Sequence, residues 1–560
     1  MAASSGSADR ALDAIIAETA RHPRPIGSYW EPYGDGSALH DLSFDYSQAS
    51  AERTHQWIAQ LTRLKTAPLT EDGHETREVL LWDLEQSLGW HRHYWLDFPL
   101  GPYSSVLSAL TRRLGAASLA SSQDLDSYLR LLDASPRYID QITAKLRGQI
   151  ERNILYPREE IVAVSGYLKA VLADPATQFL PRGKRLSHVS PPSAAVFVVR
   201  SQKILAEAIV PALHRLSGFL DQSYLPRAGD DVGLWRFRDG PDYYRFLLGA
   251  RLSREIDPVE THEAALQTVA EADRDLTRLR REIGFAGSAE AFHEEVLHGA
   301  RWKAASVDDV AKRFRGALAK LQPRLPSFFS SPPAKPFDVA PQAPELESLL
   351  TNGYYQRPTK DDPRGIYVFN GGDLADASWF WAAPLIYHEL SPGHHYHLDR
   401  IEANAALSPY RRSFISSGFA EGWGEYARSI AVESGVYDDD LLGRYANRLM
   451  DRRMAMGTVG DTGMHVKRWT LDQAEQYAAG DAITRPKMRR RMVLADASDF
   501  PGLSACYWAG GEEFRRLRRQ TEVAAGQAFD IRRYHDTVLS GGIVPFPVLE
   551  KRLQRLFSGS

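Results

Sequence analysis

Tyr387-His388-Glu389-Leu390-Ser391-Pro392-Gly393-His394-His395-Tyr396-His397 puts four histidines and a glutamate within ten residues. Neutral imidazole is a preferred zinc ligand, and a carboxylate beside it can take a proton from a zinc-activated water. The stretch follows the largely apolar run Trp379-Phe380-Trp381-Ala382-Ala383-Pro384-Leu385-Ile386-Tyr387, which reads as a buried helix. A histidine and a glutamate at its end must be paired or ligated, because buried charge is costly. His388-Glu389 opens like the zinc-peptidase pattern H-E-x-x-H, and a Pro-Gly step then intervenes. On an unbroken helix His395 would lie about 20° from His388 and His394 about 120° away. Pro392 lacks an N–H and clashes with the carbonyl four residues back, that of His388. The helix must therefore bulge or kink, and ideal angles do not choose between His394 and His395.

Working outward, the third ligand is expected downstream. Phe419-Ala420-Glu421-Gly422-Trp423-Gly424-Glu425-Tyr426 reads as part of a second helix, with Glu421 facing inward. Glutamate from a neighbouring helix is a common third zinc ligand, leaving the fourth position open. Glu425, one turn on, faces the same way and can hydrogen-bond a ligand histidine. The bland alternative is two solvated helical glutamates. Two further His-Glu pairs, His262-Glu263 and His293-Glu294, lack a convergent partner; His298, five after His293, lies about 140° round a helix. Both pairs are expected to be exposed polar residues.

The remaining chain sets the frame. It has 560 residues, 12 tryptophans and a net charge of −3, so electrostatics give no case for nucleic acid. A single cysteine, Cys506, rules out an internal disulfide. No apolar run is long enough to span a membrane, and no secretory signal is read at the N-terminus. The expectation is a cytoplasmic protein with no membrane partner. Residues 1–9 are expected as a disordered tail and 10–321 as an N-terminal helical part. A Pro-rich linker is expected at 322–346, and a C-terminal metallohydrolase part at 347–560, packed with the N-terminal part as one unit. Pro23, Pro25 and Pro32 mark an early loop. Ser135-Pro136 and Asp257-Pro258 look like helix starts, cap then proline. Phe337-Asp338-Val339 and Gly365–Asn370 are the strand candidates. The second lies just upstream of the histidines and could pair with an extended substrate. The fold class expected is mainly α, with a small antiparallel sheet beside a metal-site cleft.

The chain resembles the bacterial family called domain of unknown function 885, grouped with gluzincin-like zinc metallopeptidases. The resemblance rests on H-E-x-x-P-G-H-H at His388–His395, F-x-E-G-W at Phe419–Trp423 and D-T-G-x-H at Asp461–His465. Further matches are Arg364–Asn370, Pro501-Gly502 with Tyr507, Gly542–Pro545, Gly240–Tyr244 and the helix after Asp257. In the family pattern the first histidine after Pro-Gly recurs, which favours His394 over His395. His397 stands where glutamine is usual, and Leu503 stands where glutamine usually follows Pro-Gly; both changes bear on the substrate pocket.

The resemblance implies Zn²⁺ held by His388, His394 and Glu421, with Glu389 as general base. His465, oriented by Asp461, and Tyr507 are the candidate donors to the oxyanion of a tetrahedral intermediate. Arg364 is a candidate for a substrate carboxylate, or a surface ion pair. The expected partner is a peptide or small amide substrate. The alternatives are a zinc-dependent amidase or biosynthetic enzyme acting on a specialised metabolite, and a catalytically inactive binding scaffold. Oligomeric state is left open.

Overall fold

The computed structural model describes the chain apart from residues 1, 23–38, 40, 102–104, 182, 344–352, 360–361, 373, 375–377, 482–485 and 558–560. The loop read at Pro23, Pro25 and Pro32, and the end of the Pro-rich stretch, lie outside the described residues. The chain divides into two compact units. The first comprises Met1–Phe246, Met464–Asp472 and Arg491–Pro501; the second comprises Leu247–Gly463, Gln473–Arg490 and Gly502–Ser560. This corrects the expected division at 322–346. The boundary falls inside the helix Gly240–Leu252, where composition does not change.

In the first unit the expected tail at 1–9 is helical from Ala2, in α1 (Ala2–Ala20). Ala8, Leu12, Ile15 and Thr19 are buried at helical spacing, and that stripe fixes the helix. α2 (Glu71–Arg92) starts where the Thr70 hydroxyl accepts from the Gly73 N–H. α3 (Ser122–Glu151) starts at a reciprocal capping box between Ser121 and Asp124 and runs straight through Pro136. Pro136 is therefore not a helix start. A proline inside a helix costs about 3 kcal/mol. Leu125, Leu129 and Leu132 before it, and Ile139, Ile142 and Leu146 after it, all enter one hydrophobic core. At about 1.5–3 kcal/mol per buried side chain, that stripe outweighs the proline.

The second unit opens with α4 (Pro258–Glu282), where the Asp257 carboxylate accepts from the Val259 and Glu260 N–H groups as expected. After α5 (Val307–Leu321), the Pro-rich stretch is built into this unit. Its carbonyls serve as acceptors: Phe328 faces His535 Nδ1, Ser331 takes the Tyr396 hydroxyl and Lys335 faces His395 Nε2. Prolines remove donors and leave carbonyls, so such a segment is held through its oxygens.

The sheet has three strands in the order β1 (Phe337–Pro341), β3 (Gly365–Phe369), β2 (Tyr354–Gln356). β1 runs parallel to β3, from Phe337 opposite Gly365 to Pro341 opposite Phe369; β2 runs antiparallel, with Tyr355 opposite Tyr367. The fold is mainly α, as expected, but the sheet is mixed rather than antiparallel. β3 is its central strand, with both edges already bonded, so it has no edge to offer a substrate. Five helices follow that matter for the site: α6 (Ala382–Glu389), α7 (His394–Ala403), α8 (Ser417–Glu433), α9 (Leu441–His465) and α10 (Leu503–Ala525).

The two isolated His-Glu pairs are only partly as expected. His262 is buried, with Nδ1 2.8 Å from the Thr462 hydroxyl. His293 is half-buried, with Nε2 2.8 Å from the Tyr445 hydroxyl. Each packs through a hydroxyl on α9, a partner that local sequence does not reveal.

Candidate metal centre

α6 stops at Glu389 and α7 begins at His394, with a turn at Leu390–Gly393 between them. The break expected at Pro392 is thus complete. A Cβ on Gly393 would lie 1.7 Å from the His388 carbonyl oxygen, so only glycine lets the chain fold back against the end of α6. The Tyr396 N–H donates to the Leu390 carbonyl, and Trp423 Nε1 donates to that of Pro392 at 2.9 Å.

α8 brings the carboxylates. A Cβ on Gly422 would sit 2.6 Å from the Gly510 Cα, so α8 and α10 touch backbone to backbone. A Cβ on Gly424 would sit within 2.5–2.8 Å of three atoms of the His388 ring. Gly424 thus lets the imidazole lie against the helix between Glu421 and Glu425.

His388 Nε2 is 3.4 Å and His394 Nε2 is 3.5 Å from the same oxygen, Glu421 Oε2. Ligand atoms of the three buried residues lie within 4.8 Å of one another. Atoms held about 2.0–2.2 Å from a tetrahedral zinc ion stand about 3.3–3.6 Å apart, so the observed spacings suit that ion and are long for hydrogen bonds. The charges are compatible with a bound cation. Glu389, Glu421 and Glu425 converge here with Arg428, and buried carboxylates need positive charge beside them, supplied by a protonated His388 or by a metal ion.

The titration behaviour has the same origin. Burial alone would lower His388, but the carboxylates of Glu421 and Glu425 facing its two nitrogens reverse this and hold it at about 10. Burial would raise Glu421, but His388 and His394 bring it down to about 2. Burial pushes the Glu389 carboxyl above its ordinary range, ahead of the opposing pull of His394 and His388.

Behind His388 runs a chain that sequence gave only in part. Glu425 Oε1 lies 2.9 Å from His388 Nδ1, and its other oxygen takes a hydrogen bond from Arg428. Arg428 is fully buried and reaches Asp451 at 2.9 Å and the Asn447 carbonyl and side chain at 3.1 and 2.9 Å. Burial would raise Glu425, and Arg428 and His388 hold it down at about 2. His388 is thereby fixed with Nδ1 toward a carboxylate and Nε2 toward Glu421, an orientation that suits a metal ligand.

A family model described as "Bacterial protein of unknown function (DUF885)" matches residues 26–553. The chain belongs to the DUF885 family. None of the curated proteins matches it. Among solved structures, a "putative lipoprotein" from Colwellia psychrerythraea superposes with a TM-score of 0.81 at 20% identity, covering 100% of this chain and 97% of that one. A "putative lipoprotein of unknown function" from Shewanella oneidensis gives 0.72 at 17%, covering 97% and 98%. At these identities the likeness is one of fold.

In this DUF885 chain the remaining predicted residues divide. The Tyr507 ring lies 6.2 Å from that of His388 at 19°, which places it beside the triad. His394, not His395, joins His388 and Glu421. His395 turns away, with Nδ1 3.0 Å from the Tyr355 hydroxyl of β2 and Nε2 3.1 Å from the Lys335 carbonyl. Tyr367 of β3 was missed. Burial and the Glu389 charge together push its hydroxyl well above the ordinary value, which sets the sheet beside Glu389. Its signal was the central place of Tyr367 in the strand candidate.

His465 is corrected. It belongs to the first unit, where Nδ1 accepts from the Leu234 N–H and Nε2 faces the Asp496 carbonyl, each at 3.0 Å. Its ring stacks on Tyr244 at 4.4 Å. Both nitrogens are committed to backbone, so no N–H is left for a substrate oxyanion. Asp461 accepts from the Gly502 N–H at 2.8 Å. Arg364 pairs with Asp362 at 2.9 Å on the surface, the ion-pair alternative.

Proposed function

We propose that this chain is a zinc-dependent hydrolase that cleaves peptide or peptide-like amide bonds. The observation that carries the proposal is two imidazoles sharing one carboxylate oxygen at zinc-like spacing, with a second carboxylate, Glu389, on the residue next to a ligand.

His388, His394 and Glu421 would hold the ion, which when bound supplies a Lewis acid that acidifies water and polarises a carbonyl. The residues do the rest. Glu389, with its carboxyl raised by burial, takes the proton of the attacking water and passes it to the leaving amine; a base poised nearer neutrality does both steps well. Tyr507, stacked on the His388 ring, offers a hydroxyl to the charge that develops on the carbonyl oxygen. Glu425 and Arg428 keep His388 in one tautomer and one orientation. Among the described residues no helix is long and apolar enough to cross a membrane.

The test is zinc content of the purified chain together with digestion of a peptide library, with and without a chelator. About one zinc per chain, and cleavage that a chelator stops and zinc restores, is the expected result. A zinc-loaded chain that cleaves no peptide but does cleave small amides would narrow the substrate to the latter. A chain that retains no zinc and cleaves neither would end the proposal.

A further inference from the structure

The first unit holds a cavity of about 420 Å³ formed by the turn after α2, the turn after α3 and the segment Arg236–Asp239. Four arginines line it, Arg92, Arg152, Arg236 and Arg238, against one carboxylate, Asp239. In a chain of net charge −3, this is a local inversion of sign.

The arginines are not gathered there by acids. The Arg152 guanidinium lies 3.8 Å over the Trp95 ring and donates to the Gly148 carbonyl at 2.9 Å. Its nearest acid, Glu151, is exposed and 3.9 Å away. Arg236 lies 4.6 Å over Phe237 and donates to the Asp231 and Leu155 carbonyls at 2.6 and 2.5 Å. Its Nε is buried with no hydrogen-bond partner, and burial brings the guanidinium down to about 10. Arg92 and Arg238 are exposed and form no hydrogen bond or ion pair among the described residues. A guanidinium held over an aromatic face is favoured there as a cation, and Arg152, with one such N–H given to Gly148, keeps others for a ligand. Four like charges set against one lining carboxylate repel, and an anion relieves that repulsion. The volume falls in the range of small-molecule sites.

We infer that this cavity binds a small molecule carrying two or more anionic groups, phosphate or carboxylate, through bidentate contacts from these arginines. The inference is independent of the zinc site, since every lining residue belongs to the first unit.

Isothermal titration of the full chain with pyrophosphate, and separately with tricarballylate, tests it. The expected result is saturable one-site binding of at least one probe, weakened about tenfold or more in the Arg92→Gln/Arg238→Gln double variant. Both side chains are exposed and unbonded, so the variant should fold, and an unchanged thermal midpoint checks this. Pyrophosphate alone binding identifies a phosphate-bearing ligand, and tricarballylate alone a carboxylate-bearing one. Should the double variant fail to fold, Arg92→Lys and Arg238→Lys, which keep charge but lose the bidentate fork, should weaken binding in its place. Absence of saturable binding by both probes, or equal affinity in wild type and folded variants, overturns the inference.

Discussion

His388 and His465 are both buried, at 7% and 2% exposure, and both sit in motifs with an acid and a glycine nearby. Their chemistry is opposite. Carboxylates of Glu421 and Glu425 face the two nitrogens of His388 and hold it at about 10. Backbone groups face those of His465, and burial takes it down to about 4. Burial lowers both; only the partner differs. A motif puts a histidine in the interior, and the group facing each nitrogen decides whether it can ligate, titrate or merely hold the chain.

The largest effect expected is on the His388 side. Changing His388 or Glu421 to Ala should reduce bound zinc from about one per chain to a trace, since a catalytic zinc keeps only three protein ligands. Metal analysis of the purified variants measures this. His394→Ala should do the same and His395→Ala should not. Full occupancy in the His388 and Glu421 variants would move the ligands elsewhere and dissolve the contrast.

Glu389→Gln comes next. The amide is nearly isosteric and is not a member of the triad, so zinc should stay. Turnover should fall by about 10²–10⁴-fold, the usual share of general acid–base catalysis. A stable, zinc-loaded variant with near wild-type turnover would remove Glu389 from the mechanism.

Glu425→Gln probes the support behind His388. An outer partner of a ligand histidine typically contributes about 10–100-fold in metal affinity. Competition with a chelator should show a loss of that size, with turnover largely kept at saturating zinc. Unchanged affinity would mean that His388 is oriented by packing against Gly424 alone.

How much of this could be read from the chain differs by scale. His388, Glu421 and Glu425 were legible because their residue types and helical spacing are local, whereas the choice of His394 over His395 came from the family resemblance alone. The broken helix was legible because Pro392 opposes the His388 carbonyl. Arg428, Asn447 and Asp451 were not, because only the packing of α8 against α9 joins them. β1 and β3 were legible from their composition. β2 is three residues, Tyr354–Gln356, too short to carry a pattern. The parallel pairing of β1 with β3 depends on how the 23 or so intervening residues cross over, which no local rule sets. The start of α3 was available in Ser121 and Asp124, a capping-box spacing, but Pro136 was the louder signal.

The smallest effect on catalysis is expected at His465, and there the sign of a pH effect separates the two histidines. As an oxyanion donor, His465 would cost about 10²–10³ in turnover when lost. Held by the Leu234 and Asp496 backbone groups, it should leave turnover per bound zinc unchanged in His465→Gln and lower stability by about 1–3 kcal/mol. Its ordinary pKa of 6.5 falls to about 4 in the folded chain, through burial. As pH drops below 6.5, the unfolded chain takes up a proton that folded His465 refuses until about pH 4. Its contribution to stability is therefore complete above 6.5 and is lost across that window, by on the order of 3 kcal/mol. The glutamine variant has no such group, so its thermal midpoint should fall less steeply between pH 6.5 and 4 than that of wild type. Parallel curves, together with a large loss of turnover at pH 7, would return His465 to the reaction and erase its difference from His388.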